Sequence, residues 1–407
     1  MEPRRVLVAV SGGIAAYKIP ELVRALTRAG HDVRCAMTRG AQSFVTPLVL
    51  QTLSGAPVRS ELLDPSEEGE IDHIALADWA EIVILAPATA NTLARMTYGL
   101  ADDLVSAVLL ATRAPVLVAP AMNVNMWQHA ATQANVATLR ERGVRFVGPD
   151  AGELACGWEG EGRMSDPSVI AAHADLVLGS ESLAGRKVVV TAGGTREAID
   201  TVRAITNSSS GKMGFAIASE AARRGAEVVL VAGPCELPAV PGMRRIDVTT
   251  ALEMRDAVLG EVETSDIVVK AAAVADFRPA TRHDRKLKKE ALGESAGLHL
   301  ELVRNPDILE EVSRSEGAIG HRERRVVVGF AAESEDVIPA AQRKLERKGC
   351  DMIVANDVSR ADAGFDVDTN AVSFVWPGGD VEELPLMTKR EVAAQLLDRA
   401  EKLLLER

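Results

Sequence analysis

Two short apolar runs that end in paired glycines constrain this chain more than any other feature: VLVAVSGG at 6–13 and VVVTAGG at 188–194. An unbroken run of branched apolar residues closing on small residues and glycines is the pattern of a strand covered on both faces that enters a tight turn. Each run is followed by helix and strand patterns of its own. In the first half Ile19, Leu22, Val23 and Leu26 fall at helical spacing, Gly30 stands where a left-handed helix end is expected, and DVRCAMT at 32–38 reads as the next strand. Pro20 either kinks that helix or marks its first turn. In the second half the helix GFAIASEAARRG stops at Gly225 and EVVLVAG follows as a strand. Gly13 to Gly30 spans 17 residues and Gly194 to Gly225 spans 31, the excess of 14 falling in TREAIDTVRAITNSSSG. Third strands are expected at EIVILAPA, 81–88, and at DIVVKAAAVADF, 266–277.

The pattern implies two tandem doubly wound α/β domains with parallel sheets of the Rossmann or flavodoxin kind, 1–182 and 183–407, joined near LGSESLAGRK at 178–187. A single large sheet is the alternative, and 407 residues argue against it because cores of that size normally divide. Hydrophobic residues at 47% and charged residues at 26% place the chain among globular proteins rather than disordered or fibrous ones. No window approaches the roughly 18 uninterrupted apolar residues of a membrane span, and MEPRRVLVAV runs into a strand without a cleavage site, so a cytoplasmic protein is expected. The four cysteines, Cys35, Cys156, Cys235 and Cys350, lack the spacing of a zinc site or disulfide framework. A net charge of −12 argues against a nucleic-acid partner and leaves small molecules as the expected ligands.

Ligands of such folds sit at the carboxyl ends of the strands. Neither glycine turn is a full GxGxxG, and each is either a plain tight turn or a phosphate site. A dinucleotide fold would end its second strand in an acid, whereas these ends read MTRG and VAGP, so a mononucleotide is favoured over NAD. Ser11, Thr38 and the backbone at Gly12 and Gly13 suit the single phosphate of FMN. In PATANTLARM, Thr89 and Asn91 are suited to ring or phosphate contacts, Asn91 alternatively serving as a helix cap. Asn123, in AMNVNMW, sits at a strand end where an amide can fix a carboxylate. His73, at a helix start, is either a capping residue or a base. ELACGWEGEGRM at 153–164 makes a poor helix and a poor strand and reads as a lid carrying Cys156, while Cys35 inside a strand reads as core.

In the second half RAITNSSSGKMG concentrates Asn207, three serines and a glycine before a helix, an anion site to which Lys212 adds charge; a plain N-cap would explain one serine only. RHDRKLKKE at 282–290 holds five basic residues, read either as a solvated face or as a loop closing on a triphosphate. Asp276, ending the third strand, suits a ribose or a base. Lys344 and Lys348 lie one turn apart and are placed to clamp phosphates.

SGGIAAYK, His73, APATANTLA, GLADDLVS, PAMNVNMW and ACGWEGEGRM, followed by AGGTRE, ITNSSSGKMGF, AAAVADFRP, KLKKE, NPDIL, VGFAAES, KLERKGCDMIVANDV and GFDVDTN, occur in the order that resembles the bacterial bifunctional coenzyme A biosynthesis family. That family fuses a phosphopantothenoylcysteine decarboxylase to a phosphopantothenate-cysteine ligase, and the likeness covers nearly the whole chain. The resemblance implies that the second half joins 4'-phosphopantothenate to L-cysteine through an acyl-cytidylate made from CTP, with Mg2+ accompanying the triphosphate and metal ligands unknown. Asn207 would hold that intermediate, Arg203 would face the substrate's charge and Lys286 would cover the reacting phosphate. Asp276, Asn305, Pro306, Asp307, Ile308, Phe330, Lys344 and Lys348 match CTP contacts. It implies that the first half decarboxylates the product to 4'-phosphopantetheine with FMN, held by Ser11, Gly12, Gly13, Ile14, Thr38, Thr89, Asn91 and Ser106. His73 would assist thiol oxidation, Asn123 would bind the departing carboxylate and Cys156 would protonate the intermediate. It also implies a homo-oligomer, a dodecamer. Gly194 and Ala198 replace expected prolines and are expected to loosen their loop. A non-catalytic flavin-binding regulatory or electron-carrying module fused to a ligase is the competing reading; a pair of nicotinamide oxidoreductases would need the missing acids after each second strand.

Overall fold

A computed structural model describes residues 3–62, 72–153, 157–238, 240–287, 298–315, 325–359 and 367–407. The chain divides into two compact units, Met1–Gly179 and Ser180–Arg407. No helix among the described residues is long and apolar enough to cross a membrane.

The first unit contains strands β1 (Arg5–Val10), β2 (Asp32–Met37), β3 (Ile82–Ala88), β4 (Val116–Pro120), β5 (Arg145–Phe146), β6 (Asp150–Glu153) and β7 (Glu159–Arg163). Its helices are α1 (Ile19–Arg28), α2 (Pro47–Ser54), α3 (Asp72–Trp79), α4 (Ala90–Tyr98), α5 (Leu104–Ala111), α6 (Val124–Gln128), α7 (Ala130–Glu141) and α8 (Pro167–Val177). Five strands form a parallel sheet in the order β2-β1-β3-β4-β5. Alternation along β1 sends Val6, Val8 and Val10 to the side covered by α1, α2 and α8, and Leu7 and Ala9 to the side covered by α3, α4, α5 and α7. Burial on both faces is why these strands read as unbroken apolar runs. Ile19, Leu22, Val23 and Leu26 are the buried stripe of α1; Pro20 sits in its first turn, where no intrahelical N–H is missed, and Gly30 follows the helix end at φ +89°.

The second unit contains β8 (Lys187–Ala192), β9 (Arg196–Ala198), β10 (Ala204–Thr206), β11 (Glu227–Ala232), β12 (Met243–Asp247), β13 (Ile267–Lys270), β14 (Phe277–Pro279), β15 (Leu302–Arg304) and β16 (Val326–Glu333). Beyond them lie β17 (Met352–Asp357), β18 (Thr369–Asn370), β19 (Val372–Val375), β20 (Val381–Glu383) and β21 (Met387–Thr388). Its helices are α9 (Lys212–Arg223), α10 (Ala251–Val262), α11 (Ile308–Arg314), α12 (Val337–Lys348) and α13 (Lys389–Leu405). The main sheet runs β12-β11-β8-β13-β16-β17-β19-β20, parallel through β17, with β19 and β20 added antiparallel at one edge. Val188 and Val190 pack under α9 and α13, and Val189 under α10, α11 and α12. Both units are therefore doubly wound α/β structures, as the repeated strand-and-glycine pattern predicts.

Three local expectations need correction. The third strand of the second unit ends at Lys270, so Asp276 lies in the loop beyond it rather than at its end. Side chains of the neighbouring strand and turn take over the backbone there: Thr191 Oγ1 accepts from Ala272 N at 3.0 Å and Thr195 Oγ1 from Ala275 N at 3.0 Å. The segment read as a poor strand, 153–164, holds β7, which pairs antiparallel with β6 just before it. The Gly194 turn is tightly packed rather than loose, since a Cβ at Gly194 would lie 2.7 Å from the Asn207 carbonyl oxygen.

Candidate active sites

In the first unit the turn after β1 is braced from below. Ser11 is buried, and its hydroxyl donates to the Pro87 carbonyl at 2.6 Å and accepts from Thr89 N at 3.2 Å. It therefore ties the β1 and β3 turns together instead of presenting its hydroxyl to a ligand. Gly12 permits close approach of the next loop: a Cβ there would lie 2.8 Å from the Gly40 carbonyl carbon. Thr38 Oγ1 accepts from Ala41 N at 3.2 Å, which leaves its proton to donate. Gly13 opens a short 3-10 helix beginning at Ile14, whose side chain is exposed. Across the turn, Thr89 rather than Asn91 caps α4, accepting from Thr92 N at 3.3 Å, so Asn91 stays exposed in the first helical turn. The Gly12 and Gly13 backbone, Thr38, Thr89 and Asn91 thus form the mouth of a strand-end turn suited to one phosphate and a polar ring edge, which is what FMN would require.

Ser106 lies elsewhere. It is buried in a capping box with Asp103 at the start of α5, accepting from Asp103 N at 3.1 Å and donating to Asp103 Oδ1 at 2.8 Å. It lines a small cavity with Arg95, Leu110 and Arg142, none of them part of the Ser11 turn.

His73 is in the first turn of α3, and its Nδ1 is buried without a hydrogen-bond partner among the described residues. An imidazole nitrogen kept dry and unpaired is costly unless it has work to do. Asn123 is the N-cap of α6, its Oδ1 accepting from Asn125 N at 2.8 Å, so the orientation of its amide is fixed. Strand β7 is tied to the residues on either side of Asn123: Met122 N donates to Gly162 O at 3.0 Å, and Trp127 Nε1 to Glu161 Oε2 at 3.3 Å. Cys156, expected on the lid, lies outside the described residues. Cys35 is core, and burial pushes its thiol up to about 12.

In the second unit the expected polar residues gather more closely. The N-cap of α9 is Gly211, at φ +78°, and no side chain caps the helix. Ser208, Ser209 and Ser210 are thus not required as caps; together with Asn207, Asp276, Phe330 and Lys344 they line a cavity of about 580 Å³ at the sheet's carboxyl edge. Gly214 lets α9 lie directly on β8, a Cβ there meeting the Thr191 carbonyl oxygen at 2.7 Å. Asn207 Nδ2 donates to the carbonyls of Val274 at 3.1 Å and Ala273 at 3.4 Å, which joins the serine loop to the loop carrying Asp276. Lys212 is ion-paired with Asp368 at 2.7 Å.

Residues matched to CTP contacts divide by how they are used. Asn305 braces the turn, donating to Ala275 O at 2.8 Å and accepting from Arg278 Nη1 at 3.0 Å. Asp307 caps α11 and is ion-paired with Lys348, and the Ile308 side chain is core. Pro306 lines a second cavity beside them. Lys344 donates to the Phe330 carbonyl at 2.7 Å, and burial draws its ammonium below the usual lysine value. Lys344 and Lys348 thus each have a protein partner rather than forming a bare phosphate clamp.

Arg203 and Lys286 are linked by a residue the sequence did not single out. Asp200 is buried, and its carboxylate accepts from Arg203 Nε and Nη2 at 3.0 and 2.6 Å and from the backbone N of Val202, Arg203 and Leu287 at 2.8, 2.8 and 3.1 Å. Burial pushes this carboxyl up, but the hydrogen bonds from Arg203, Val202 and Leu287 outweigh it and hold it well below the usual carboxylate range. The basic segment is therefore moored at Leu287, next to the exposed Lys286, whereas residues 288–297 lie outside the described residues. The sequence also gave no role to Asn356, Asn370 and Lys389, which line the larger cavity; both amide Oδ1 atoms are buried without a partner among the described residues. The only sequence signal of Asn356 and Asn370 is membership of VANDV and DTN, and Lys389 has none. No group of three or more metal-ligating side chains occurs among the described residues.

Comparison with known proteins bears on both units. The flavoprotein family model matches residues 1–177, and the model of the DNA/pantothenate metabolism flavoprotein C-terminal domain matches residues 183–404. The coenzyme A biosynthesis bifunctional protein CoaBC of Vibrio cholerae is 48% identical over 394 residues, covering 97% of each chain. That of Escherichia coli is 50% identical over 399 residues, covering 97% of this chain and 96% of the other. A crystal structure of the C-terminal domain of a CoaBC protein is 38% identical, with a TM-score of 0.47, and covers 56% of this chain and all of that domain. Near-half identity across almost the full length, with a flavoprotein model on one unit and a pantothenate-metabolism model on the other, means that the chain belongs to the coenzyme A biosynthesis bifunctional protein family.

Proposed function

We propose that residues 183–407 ligate 4'-phosphopantothenate to L-cysteine at the expense of CTP, and that residues 1–182 decarboxylate the 4'-phosphopantothenoylcysteine so formed to 4'-phosphopantetheine. The observation that carries this reading is the cavity uniting an uncapped helix N-terminus, three serines, Asn207, Asp276 and Lys344, an anion site large enough for a nucleotide beside a second substrate.

In the ligase step a carboxylate oxygen of 4'-phosphopantothenate attacks the α-phosphorus of CTP, and pyrophosphate leaves with the bridging oxygen. The cysteine amine then attacks the acyl carbon, CMP departs, and the nitrogen loses a proton. Activation is needed because a carboxylate is a poor electrophile. Asn207 is assigned to hold the acyl-cytidylate, Lys286 to cover the reacting phosphate, and Arg203 to hold the basic segment in place through Asp200, which modifies the direct substrate contact expected of it. Mg2+ accompanies the triphosphate, which supplies most of its ligands.

In the first unit FMN, held at the Gly12–Gly13 turn with Thr38, Thr89 and Asn91, would supply reversible two-electron oxidation of the cysteinyl thiol. The protein's own task is to place the substrate and move protons. His73 handles the proton at the thiol, the Asn123 amide holds the departing carboxylate, and Cys156 returns a proton to the product. Ser106 lines a cavity that holds none of the Ser11-turn residues, which supports a homo-oligomer in which copies complete one another's sites. Exposed Leu48, Tyr98, Leu100 and Leu110 are the apolar surface such an assembly would cover, and a dodecamer is the expected form. We place the protein in the cytoplasm because its substrates are soluble metabolites.

The reading is tested by the mass of the product formed from 4'-phosphopantothenate, cysteine, CTP and Mg2+, with ATP replacing CTP in parallel. 4'-Phosphopantetheine is expected with CTP. Arrest at 4'-phosphopantothenoylcysteine would return the first unit to a non-catalytic flavin-binding module, and no ligation with CTP would overturn the second unit's assignment.

A further inference from the structure

Lys270 closes β13, opposite Thr191 of β8 and Gly329 of β16. It is 6% exposed, and its Nζ has no hydrogen-bond partner among the described residues. Two residues earlier on the same face, Val268 packs with Ile308 and Leu309, so the lysine stem runs beneath α11 and α12. Space on that face is tight: a Cβ at Gly329 would lie 2.7 Å from both Leu309 Cδ2 and Ile353 Cδ1. The stem thus passes an apolar wall, and the residue lines a cavity of about 200 Å³ whose polar groups are Asp276, Asn305, Asp307, Lys344, Arg347 and Lys348. This cavity shares Asp276, Phe330 and Lys344 with the larger one at the α9 N-terminus.

An unpaired ammonium in such a place does nothing for folding that an aliphatic residue would not do better. Thr191 is no partner, since its Oγ1 is taken by Ala272 N. The charges facing the cavity are Asp276 from the loop after β13, Asp307 from the start of α11, and Lys344, Arg347 and Lys348 from α12. Asp307 is neutralised by Lys348, which leaves the cavity positive once Lys270 is protonated. Its missing partner is an anion.

We propose that Lys270 is a further nucleotide-binding residue of the second unit, its ammonium contacting a phosphate oxygen of the bound nucleoside triphosphate. This rests on the CTP-dependent reading above. Desolvation brings the Lys270 ammonium down to about 7, so near pH 8 the empty site holds mostly neutral amine. A phosphate oxygen alongside raises that value, and binding therefore takes up a proton.

The test is calorimetric titration of the full chain with CTP and Mg2+ near pH 8, in buffers of differing ionisation enthalpy, for the wild type and Lys270→Met. Methionine keeps the unbranched stem and removes the charge. Wild-type protein is expected to take up close to one proton per CTP. The variant is expected to lose that uptake and bind CTP about tenfold or more weakly, with cytidine affinity and decarboxylation of supplied 4'-phosphopantothenoylcysteine unchanged. Because burial also draws down Lys344, the uptake is assigned by the difference between the two proteins. A variant binding CTP within twofold of wild type overturns the proposal, as does wild-type binding without proton uptake, a result that needs no variant to fold. Equal weakening of cytidine would mean that the cavity reads the nucleoside and not its phosphates, and would also overturn it. Wild-type protein that binds no CTP would overturn the CTP reading itself and this contact with it.

Discussion

Replacing Asp200 by alanine is expected to lower CTP-dependent ligation by about two orders of magnitude or more while decarboxylation of supplied 4'-phosphopantothenoylcysteine stays at the parental rate. Five donors converge on this one buried carboxylate, and one of them is the backbone N of Leu287, the residue after Lys286. The Arg203 Nη2 also donates to the Leu287 carbonyl at 2.8 Å, so Asp200, Arg203 and Leu287 form a closed triangle. Without Asp200 the guanidinium loses its anion and the root of the basic segment loses its mooring. A reacting group misplaced by roughly 1 Å loses on the order of 10²-fold in rate. Asp200 is a positioning residue, so kcat should fall more than the KM for CTP, and Asp200→Asn should recover part of the rate because an amide oxygen still accepts. Parental ligation by the alanine variant would sink the argument; loss of ligation accompanied by unfolding of the second unit in circular dichroism would show a structural role instead. The acid limb is also fixed in sign. A carboxyl held below its unfolded value of about 3.9 contributes stability that is fully present above that value and is lost as pH falls through the folded one. Neutral-range changes in ligase activity therefore do not come from Asp200.

What could be read from the sequence, and what could not, follows from the range of the interactions involved. β1, β8, α1 and the glycine-ended turns are specified locally: their apolar periodicity and stop residues act over a few positions. Asp200 looked like any loop acid, because its partner Leu287 is 87 residues away. Asp276 was placed on a strand because AAAVAD continues the apolar run, yet the Thr191 and Thr195 hydroxyls end the ladder at Lys270. Hydroxyl and amide side chains at the turns were identified by type, but their donors and acceptors depend on neighbours no local pattern names. Ser11 and Ser106 are consumed by Pro87 and Asp103, while Thr89 takes the capping task that Asn91 was also suited to. Lys270 passed as part of an apolar strand, and only the cavity beneath α11 and α12 gives its charge a use.

The glycines of the β6–β7 hairpin carry the other large effect. Gly162→Ala is expected to reduce decarboxylation by two to three orders of magnitude, on the order expected for a displaced catalytic group, and to leave ligation intact. Gly162 has φ +156°, and a Cβ there would lie 2.3 Å from the Met122 carbonyl oxygen. Real contacts to a Cβ do not go below about 3 Å, so β7 or the 122–124 segment must shift by close to 1 Å. Either shift breaks the Met122 N to Gly162 O bond, which holds β7 beside the segment carrying Asn123. Backbone strain alone is a competing cause, and Gly152 separates the two. It sits in the paired strand at φ +149°, but its Cβ would come no nearer than 3.7 Å to the Arg163 guanidinium. Gly152→Ala carries comparable strain without the collision and is expected to cost far less activity. Equal losses in the two variants, measured as single-turnover CO2 release from supplied 4'-phosphopantothenoylcysteine, would assign the effect to strain. Parental activity in Gly162→Ala would mean that the hairpin is not what positions Asn123 against the departing carboxylate.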